Sequence, residues 1–453
     1  MDNLCYVYEQ EDYNAKTIAQ KIEGHIDVKP GQKIFVKPNW VMHPWNGEEK
    51  NWTATVTNPA MIEAVLLVLK QKMQGKGTVL IGDAPMTGAK IEVIWNQIQI
   101  DDIINKYQTE QFHVQKLDLR MYYWHYVANT CVSRRKLKGD PSGYFKIQMG
   151  KDSLFAEKTV KNYMVTDTEH PISEYHDEDN NVYVVSRSII ESDVFINLPK
   201  LKTHRLAGMT CAMKNLVGTI GIKNCVPHST YGSDKQGGDS FPEGDKDAMD
   251  GHSGLRGLVD RIERRKISFV NYCMVPPKII YNKFFRKKYA NKKAYGAWYG
   301  NDTVWRSVID LNRILMYSDK EGKLHDKVQR QYICIVDSII AGEKEGPLHP
   351  TPKKSNRIFV GKNPVALDAV ACKFMGFDYR KMPVLFRSFE LDRRWPLVDF
   401  SYEDIKVCTS TNICQNISEV FQRCVPFIPS EGWKGHIEHE MISAEKEEGK
   451  LLE

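Results

Sequence analysis

The stretch from Lys33 to Asp83 constrains the fold more than any other part of the chain. Lys33-Ile34-Phe35-Val36-Lys37 is an apolar run of strand length, entered from Pro30-Gly31 and left at Pro38-Asn39-Trp40. Thr57-Asn58-Pro59 reads as a helix start, a side-chain cap followed by proline at the first helical position. Met61, Ile62, Val65, Leu66 and Leu69 recur at helical spacing until Gly75-Lys76-Gly77 stops the run, and Thr78–Gly82 is a second strand ending at Asp83. A strand, a helix and a strand of these lengths make a βαβ unit, whose strands run parallel. The chain is therefore expected to be α/β, an open and mostly parallel sheet with helices on both faces. Asn39 and Asp83 then emerge at carboxyl ends of strands, the edge where open α/β sheets bind ligands. The connection of roughly twenty residues after Lys37, with Trp40, Trp45 and Trp52, is of a length that more often serves function than chance.

The block Asp193–His228 carries the candidate chemistry. Val194–Leu198 has the length and composition of a buried strand, and Pro199 removes a ladder donor after it. If Lys200–His204 stays extended, its period of two sets Lys200, Lys202 and His204 on one face. Small residues 207–213 lead to Lys214 and Asn215, and Lys223 and His228 close the block. Any one of these lysines is ordinarily a solvated residue, and a single histidine a satisfied one. Four lysines and two histidines between apolar positions point to a site. Lys200, Lys202 and Lys223 suit a phosphate or carboxylate, joined by Asn215, Lys37, Asn39 and Arg306. Lys214 suits the same role or, with a depressed pKa, attack on a carbonyl. His204 and His228 exchange protons near neutral pH, and Lys214 is grouped with them as catalytic. Asp83 and Asp337, if they meet, could hold a divalent metal or orient a hydroxyl.

The rest of the chain frames this block. Hydrophobic residues make up 42% and charged residues 26%, which are globular values. No apolar run is long enough to span a membrane, and the N-terminal stretch lacks a basic and an apolar signal region, so a cytoplasmic protein is expected. None of the ten cysteines forms a CxxC pair, so they read as reduced core residues and no iron–sulfur cluster is expected. Tyr231–Gly251 is rich in Gly and Asp and reads as a lid-like loop beside the site. Between Arg261 and Lys293 eleven Lys or Arg stand against one Glu, a local +10, so the rest of the chain nets −4 within a total of +6. This basic, aromatic segment fits a helix docked on its own protein, a peripheral membrane contact or, less well, nucleic acid, for which no specific recognition is expected. Asp302 opens a helix on which Arg306 and Asp310 are spaced to pair. Ile333–Val336 is a strand ending at Asp337, and Asn363-Pro364 caps a helix whose Asp368 needs a partner if buried. The parts read as an α/β region over 1–230, a loop-rich and basic insertion over 231–325, a second α/β part over 326–430 completing the sheet, and a polar tail over 431–453.

The run PKLKTH…KNLVG…K…H, with KPNW, TNP and GD before it and GP and NPVALD after it, resembles the prokaryotic family known as domain of unknown function 362, over about residues 30–380. Some members carry a ferredoxin module, whose cysteine spacing this chain lacks. The order strand, His, small residues, Lys, Gly, His is also similar, more distantly, to the lactate racemase family that uses a nickel-pincer nucleotide. That likeness implies an acid/base role for His204, a tethering or substrate-contacting amine at Lys214 ten residues on, and a second polar ligand at His228 fourteen residues later. Ala212-Met213 stand where that family has Gly-Gly before its lysine, and a further catalytic histidine has no counterpart, so a lysine-tethered cofactor is not expected. The leading expectation is an enzyme using Lys/His proton transfer, racemase-, epimerase- or isomerase-like, on an anionic small molecule: a hydroxy acid, a sugar phosphate or a nucleotide sugar. Its rivals are a non-catalytic anion- or membrane-surface-binding protein working through 261–293, and a metal-dependent redox protein.

Overall fold

Alternation of side chains in the central strands decides the layering. In the computed structural model, which describes residues 1–44, 51–127, 130–164, 174–245, 295–391, 394–409, 413–421 and 426–439 and four positions between 273 and 279, both faces of these strands are apolar. Ile34, Val36, Val79, Ile81, Val194 and Ile196 enter one core, and Phe35, Leu80 and Phe195 the other. Successive residues of a strand point to opposite faces, so each face needs a cover. Helices Ala15–Ile22, Pro59–Lys72, Ile91–Gln97 and Ile100–Tyr107 cover the first, and Val304–Tyr317, Pro364–Phe374 and Pro383–Phe389 the second. The fold is α/β, as expected.

The main sheet runs in the order Cys414–Asn416, Lys406–Thr409, Leu4–Glu9, His349–Gly361, Gln331–Glu345, Val194–Leu198, Lys33–Pro38, Gly77–Asp83, Phe112–Asp118. From Gln331–Glu345 onward every neighbour is parallel, including the βαβ pair at Lys33 and Gly77. Beyond Pro199, Lys200–His204 continues beside the far end of Gln331–Glu345 and takes Gly208–Thr210 as an antiparallel partner. Asn58 caps the Pro59–Lys72 helix by accepting from the Ala60 N–H, and Asn363 caps Pro364–Phe374 through the Val365 and Ala366 N–H groups.

Four expectations are corrected by the structure. The register against Gln331–Glu345 shifts between Lys200 and Lys202, and the two ammonium groups go to different partners, Lys200 to Asp337 and Tyr13 and Lys202 to Asn39 and Thr55, so Lys200 does not converge with Lys202 and His204. Arg306 pairs with Asp302 rather than Asp310, while Asn301 accepts from the Thr303 and Val304 N–H groups at the helix start. Cys408 and Cys414 are disulfide-bonded, because the edge strands set them directly opposite each other. The described part of the stretch read as a polar tail packs: Trp433 is buried and its indole N–H donates to the Arg205 carbonyl at 2.7 Å. The Tyr231–Asp245 part of the expected lid is anchored by Asp239, which accepts from the Thr230 and Asp302 N–H groups and the Thr303 hydroxyl. Residues 261–293 lie almost wholly outside the described residues.

Asp310 illustrates the cost of a buried charge. It accepts from Arg313 at 3.0 Å, Ser153 at 2.6 Å and Tyr183 at 3.0 Å, and both members of the Arg313–Asp310 pair are fully buried. Replacing one partner strands the other. Asp310→Ala is expected to lower unfolding stability by about 3–5 kcal/mol, read from the urea midpoint. Arg306→Ala should lose less, because its partner Asp302 keeps half its side chain in solvent.

Candidate functional site

The site is built where the parallel strands end. Lys37, opposite Asn197 in the register, is fully buried, so its ammonium must find acceptors inside the protein. It donates to Asp83 at 2.7 Å and to the Pro38 carbonyl at 2.9 Å. Asp83 also accepts the Trp40 N–H at 2.6 Å, which ties two neighbouring strand ends together. Gly218 passes directly over this pair. A Cβ there would sit 1.9 Å from Asp83 Oδ1 and 2.6 Å from Lys37 Nζ, so glycine is the residue that lets the chain cross.

A chain of amides spreads from the pair. Asn39 Nδ2 donates to Asn215 Oδ1 at 2.8 Å, Asn215 Nδ2 to Asn197 Oδ1 at 2.7 Å, and Asn197 Nδ2 to the Ala212 carbonyl at 2.8 Å. Lys202, fully buried, donates to Asn39 Oδ1 at 3.1 Å and to the Thr55 carbonyl. The short helix Ala212–Asn215 is thus held through Asn215 and Ala212, and it is held again at its start. Asp368 accepts the Ala212 and Met213 N–H groups at 2.7 and 3.0 Å, and burial pushes its carboxyl up to about 7. Asn312 donates to the Met213 carbonyl from the Val304–Tyr317 helix. Lys214 is therefore carried on a fixed mount.

Lys214 itself is the exception among these lysines. It is 9% exposed, and its ammonium has no hydrogen-bond partner among the described residues. Burial and then the Lys37 charge bring its pKa down to about 8. Lys223 is partly exposed, donates to the carbonyls of Ala84 and Val217, and is brought by burial to about 7.

The two imidazoles that feel the Lys214 charge are neutral and in opposite tautomers. His204 Nδ1 accepts the Leu206 and Ala207 N–H groups at 3.0 and 3.2 Å, so Nε2 carries the proton. His228 Nδ1 faces the Val226 carbonyl at 2.7 Å and must donate to it, which leaves Nε2 bare. Burial, then Lys214 and Lys202, hold His204 well below its ordinary value. Burial and Lys214 bring His228 down to about 3. One ring presents an N–H and the other a lone pair, and neither is charged at neutral pH.

The structure joins Lys37, Asn39, Asp83, Lys202 and Asn215 by direct bonds, and Lys214, Lys223, His204 and His228 by mutual charge effects. Three candidates stand apart. Lys200 is fully buried on Asp337 at 2.7 Å, with Tyr13 and the Ile340 carbonyl as further acceptors. Asp337 also accepts from Tyr13 and the Asn58 N–H, so Asp83 and Asp337 are counterions of different lysines and do not meet. Arg306 is spent on Asp302, Glu157 and the Leu154 carbonyl. Among the described residues no group of three or more His, Cys, Asp or Glu is placed to hold a metal. Sequence reading missed Asn197, Thr57 and Gly218. The signal for Asn197 was a polar residue inside an apolar strand, and Thr57 read only as part of a helix start, whereas its hydroxyl also accepts the Asn39 N–H.

The comparisons with known proteins place the chain in a family and leave its activity open. No curated protein matches. Among solved structures, the lactate racemase apoprotein from Thermoanaerobacterium thermosaccharolyticum is similar at 11% identity and a TM-score of 0.33, covering 82% of this chain and 57% of that one. A Thermotoga maritima protein of known crystal structure is similar at 11% identity and a TM-score of 0.33, covering 76% and 55%. This chain thus spans somewhat more than half the length of either. The family model described as a domain of unknown function, DUF362, matches residues 34–135 and 139–373, which is well over half of the chain. The protein belongs to the domain of unknown function 362 family.

Proposed function

We propose that this protein is an enzyme that moves a proton at a carbon bearing oxygen in an anionic small molecule, in the manner of a racemase, epimerase or isomerase. The observation that carries this reading is the pair of neutral imidazoles of opposite tautomer beside an ammonium group that has no partner among the described residues. Lys214 takes the substrate's negative charge. His228, with its bare Nε2, is the base that removes the proton, and His204, with Nε2–H, is the acid that returns one or stabilises the developing oxyanion. Burial and, after it, the Lys214 charge keep His228 from protonating before substrate binds; an anion on Lys214 offsets the second of these, so substrate binding itself makes His228 a better base. Hydroxy acids, sugar phosphates and nucleotide sugars all have the required chemistry.

Deuterium incorporation tests this directly. In D2O, NMR of a panel of such anions should show exchange at the oxygen-bearing carbon of at least one compound. His204→Gln and His228→Gln should each slow it by roughly 10²–10⁴-fold. Exchange that persists in the double variant, or is absent across the panel, would sink the assignment.

The pH profile supplies a second check. The reaction needs Lys214 charged, with a pKa of about 8, and His228 neutral, with a pKa of about 3. Exchange should therefore be flat through the mildly acidic and neutral range and fall above about pH 8. Lys214→Arg, which stays charged, should move the alkaline fall to higher pH. A bell centred near the ordinary histidine pKa would contradict these roles for Lys214 and His228.

A further inference from the structure

The site holds more positive charge than its own carboxylates offset. Lys37 is matched by Asp83 at 2.7 Å, and Arg120 by Asp118 at 2.8 Å. Lys202 has only neutral oxygens, the Asn39 amide and the Thr55 carbonyl. Lys223 has only the Ala84 and Val217 carbonyls, and Lys214 has no acceptor among the described residues. These three gather at the same strand ends: Lys202 bonds Asn39, Lys214 precedes Asn215, which Asn39 also bonds, and Lys223 bonds Ala84 and Val217, the chain neighbours of Asp83 and of the Gly218 that crosses it. Lys214 faces Lys37, and both imidazoles face Lys214.

A buried ammonium without a counterion is costly, and a ligand that supplies the missing charge recovers that cost. Lys202 is fully buried on Asn39 and Thr55, and burial holds its pKa well below the ordinary lysine value, so it is not the charge that meets a ligand. Lys214 and Lys223 both keep some exposure, and His228 feels both of them. We propose that the ligand of this site carries two negative charges and bridges the Lys214 and Lys223 ammonium groups beside His228, which makes it a phosphate ester or a dicarboxylate rather than a lone carboxylate. This deepens the proton-transfer reading and rests on it. Lys223 has one N–H left after its two carbonyls, and Lys214 has three, so both can form charge-assisted bonds to an anion.

Such binding has a proton signature. Burial brings Lys214 to about 8 and Lys223 to about 7, so near pH 8 and without a bound anion the two amines are partly deprotonated. A dianion favours the charged forms of both amines, so its binding takes protons up, about one per site.

Isothermal titration of the full chain at pH 8, in two buffers of different ionisation heat, tests this with inorganic phosphate, malonate and acetate. At least one dianion should bind about tenfold or more tighter than acetate, with net proton uptake. Lys223→Met should erase that preference while acetate binding survives, and Lys223→Arg, which keeps the charge, should retain it. Preference for phosphate or for malonate then identifies the ester or the dicarboxylate. Acetate binding as tightly as both dianions, or proton release, overturns this inference and leaves the proton-transfer reading standing. Failure of every anion to bind removes both.

Discussion

A lysine ammonium that folding takes out of water must be given acceptors, and the centre of this protein is arranged around that requirement. Lys37, Lys200 and Lys202 are all fully buried, and each is satisfied differently. Lys37 takes a carboxylate from the neighbouring strand end, Lys200 takes Asp337 and a tyrosine hydroxyl, and Lys202 takes only neutral oxygens. Desolvation of this kind is not recovered by stability alone, since buried ion pairs often do no better than apolar packing of the same volume. Its effect here is on geometry. The acceptors include Asp83, Asn39, Thr55 and Ile340, which come from different strands and loops, so satisfying three lysines fixes how those segments sit against one another.

That fixed frame leaves Lys214 as the charge without an acceptor among the described residues. Its short helix is clamped by Asp368 at its start, by the Asn39–Asn215–Asn197 amides at its end and by Asn312 from the covering helix. Preorganisation of this sort matters for catalysis, because a group already held in place need not be ordered when substrate arrives. The same network sets the tautomers. His204 is read by two backbone N–H groups and His228 by one carbonyl, and burial together with the lysine charges around them keeps both rings neutral.

Much of the fold was legible from Lys33 to Asp83, since two short apolar runs and the helical spacing between them, with an Asn-Pro cap, leave little choice but a parallel βαβ unit. Short apolar runs also located Val194–Leu198 and Gln331–Glu345 in part. The limits were set by features that no local pattern encodes. The shift at Lys200/Lys202 depends on the register against Gln331–Glu345, so the three basic residues of Lys200–His204 could not be sorted in advance. Arg306 went to Asp302 and not Asp310 because Asp310 was already claimed by Arg313, Ser153 and Tyr183, two of which are more than a hundred residues away in sequence. Gly218 carries no local signal beyond following Lys214 and Asn215, and its necessity lies in a long-range approach to Asp83. Asp368 was flagged as a carboxylate in need of a partner, but the partner, two backbone N–H groups of the Lys214 helix, is a tertiary fact.

The lysines at these strand ends thus divide into Lys37, Lys200 and Lys202, fully buried on acceptors of the fold, and Lys214 and Lys223, which keep donors for a ligand. Competitive acylation of the native protein over a range of pH, read lysine by lysine by mass spectrometry, tests that division most directly. Lys214 should label with an apparent pKa near 8, while Lys37, Lys200 and Lys202 stay protected until the protein unfolds. Labelling of Lys37 or Lys200 at a rate comparable to Lys214, or a Lys214 that titrates as an ordinary surface lysine, would contradict the account.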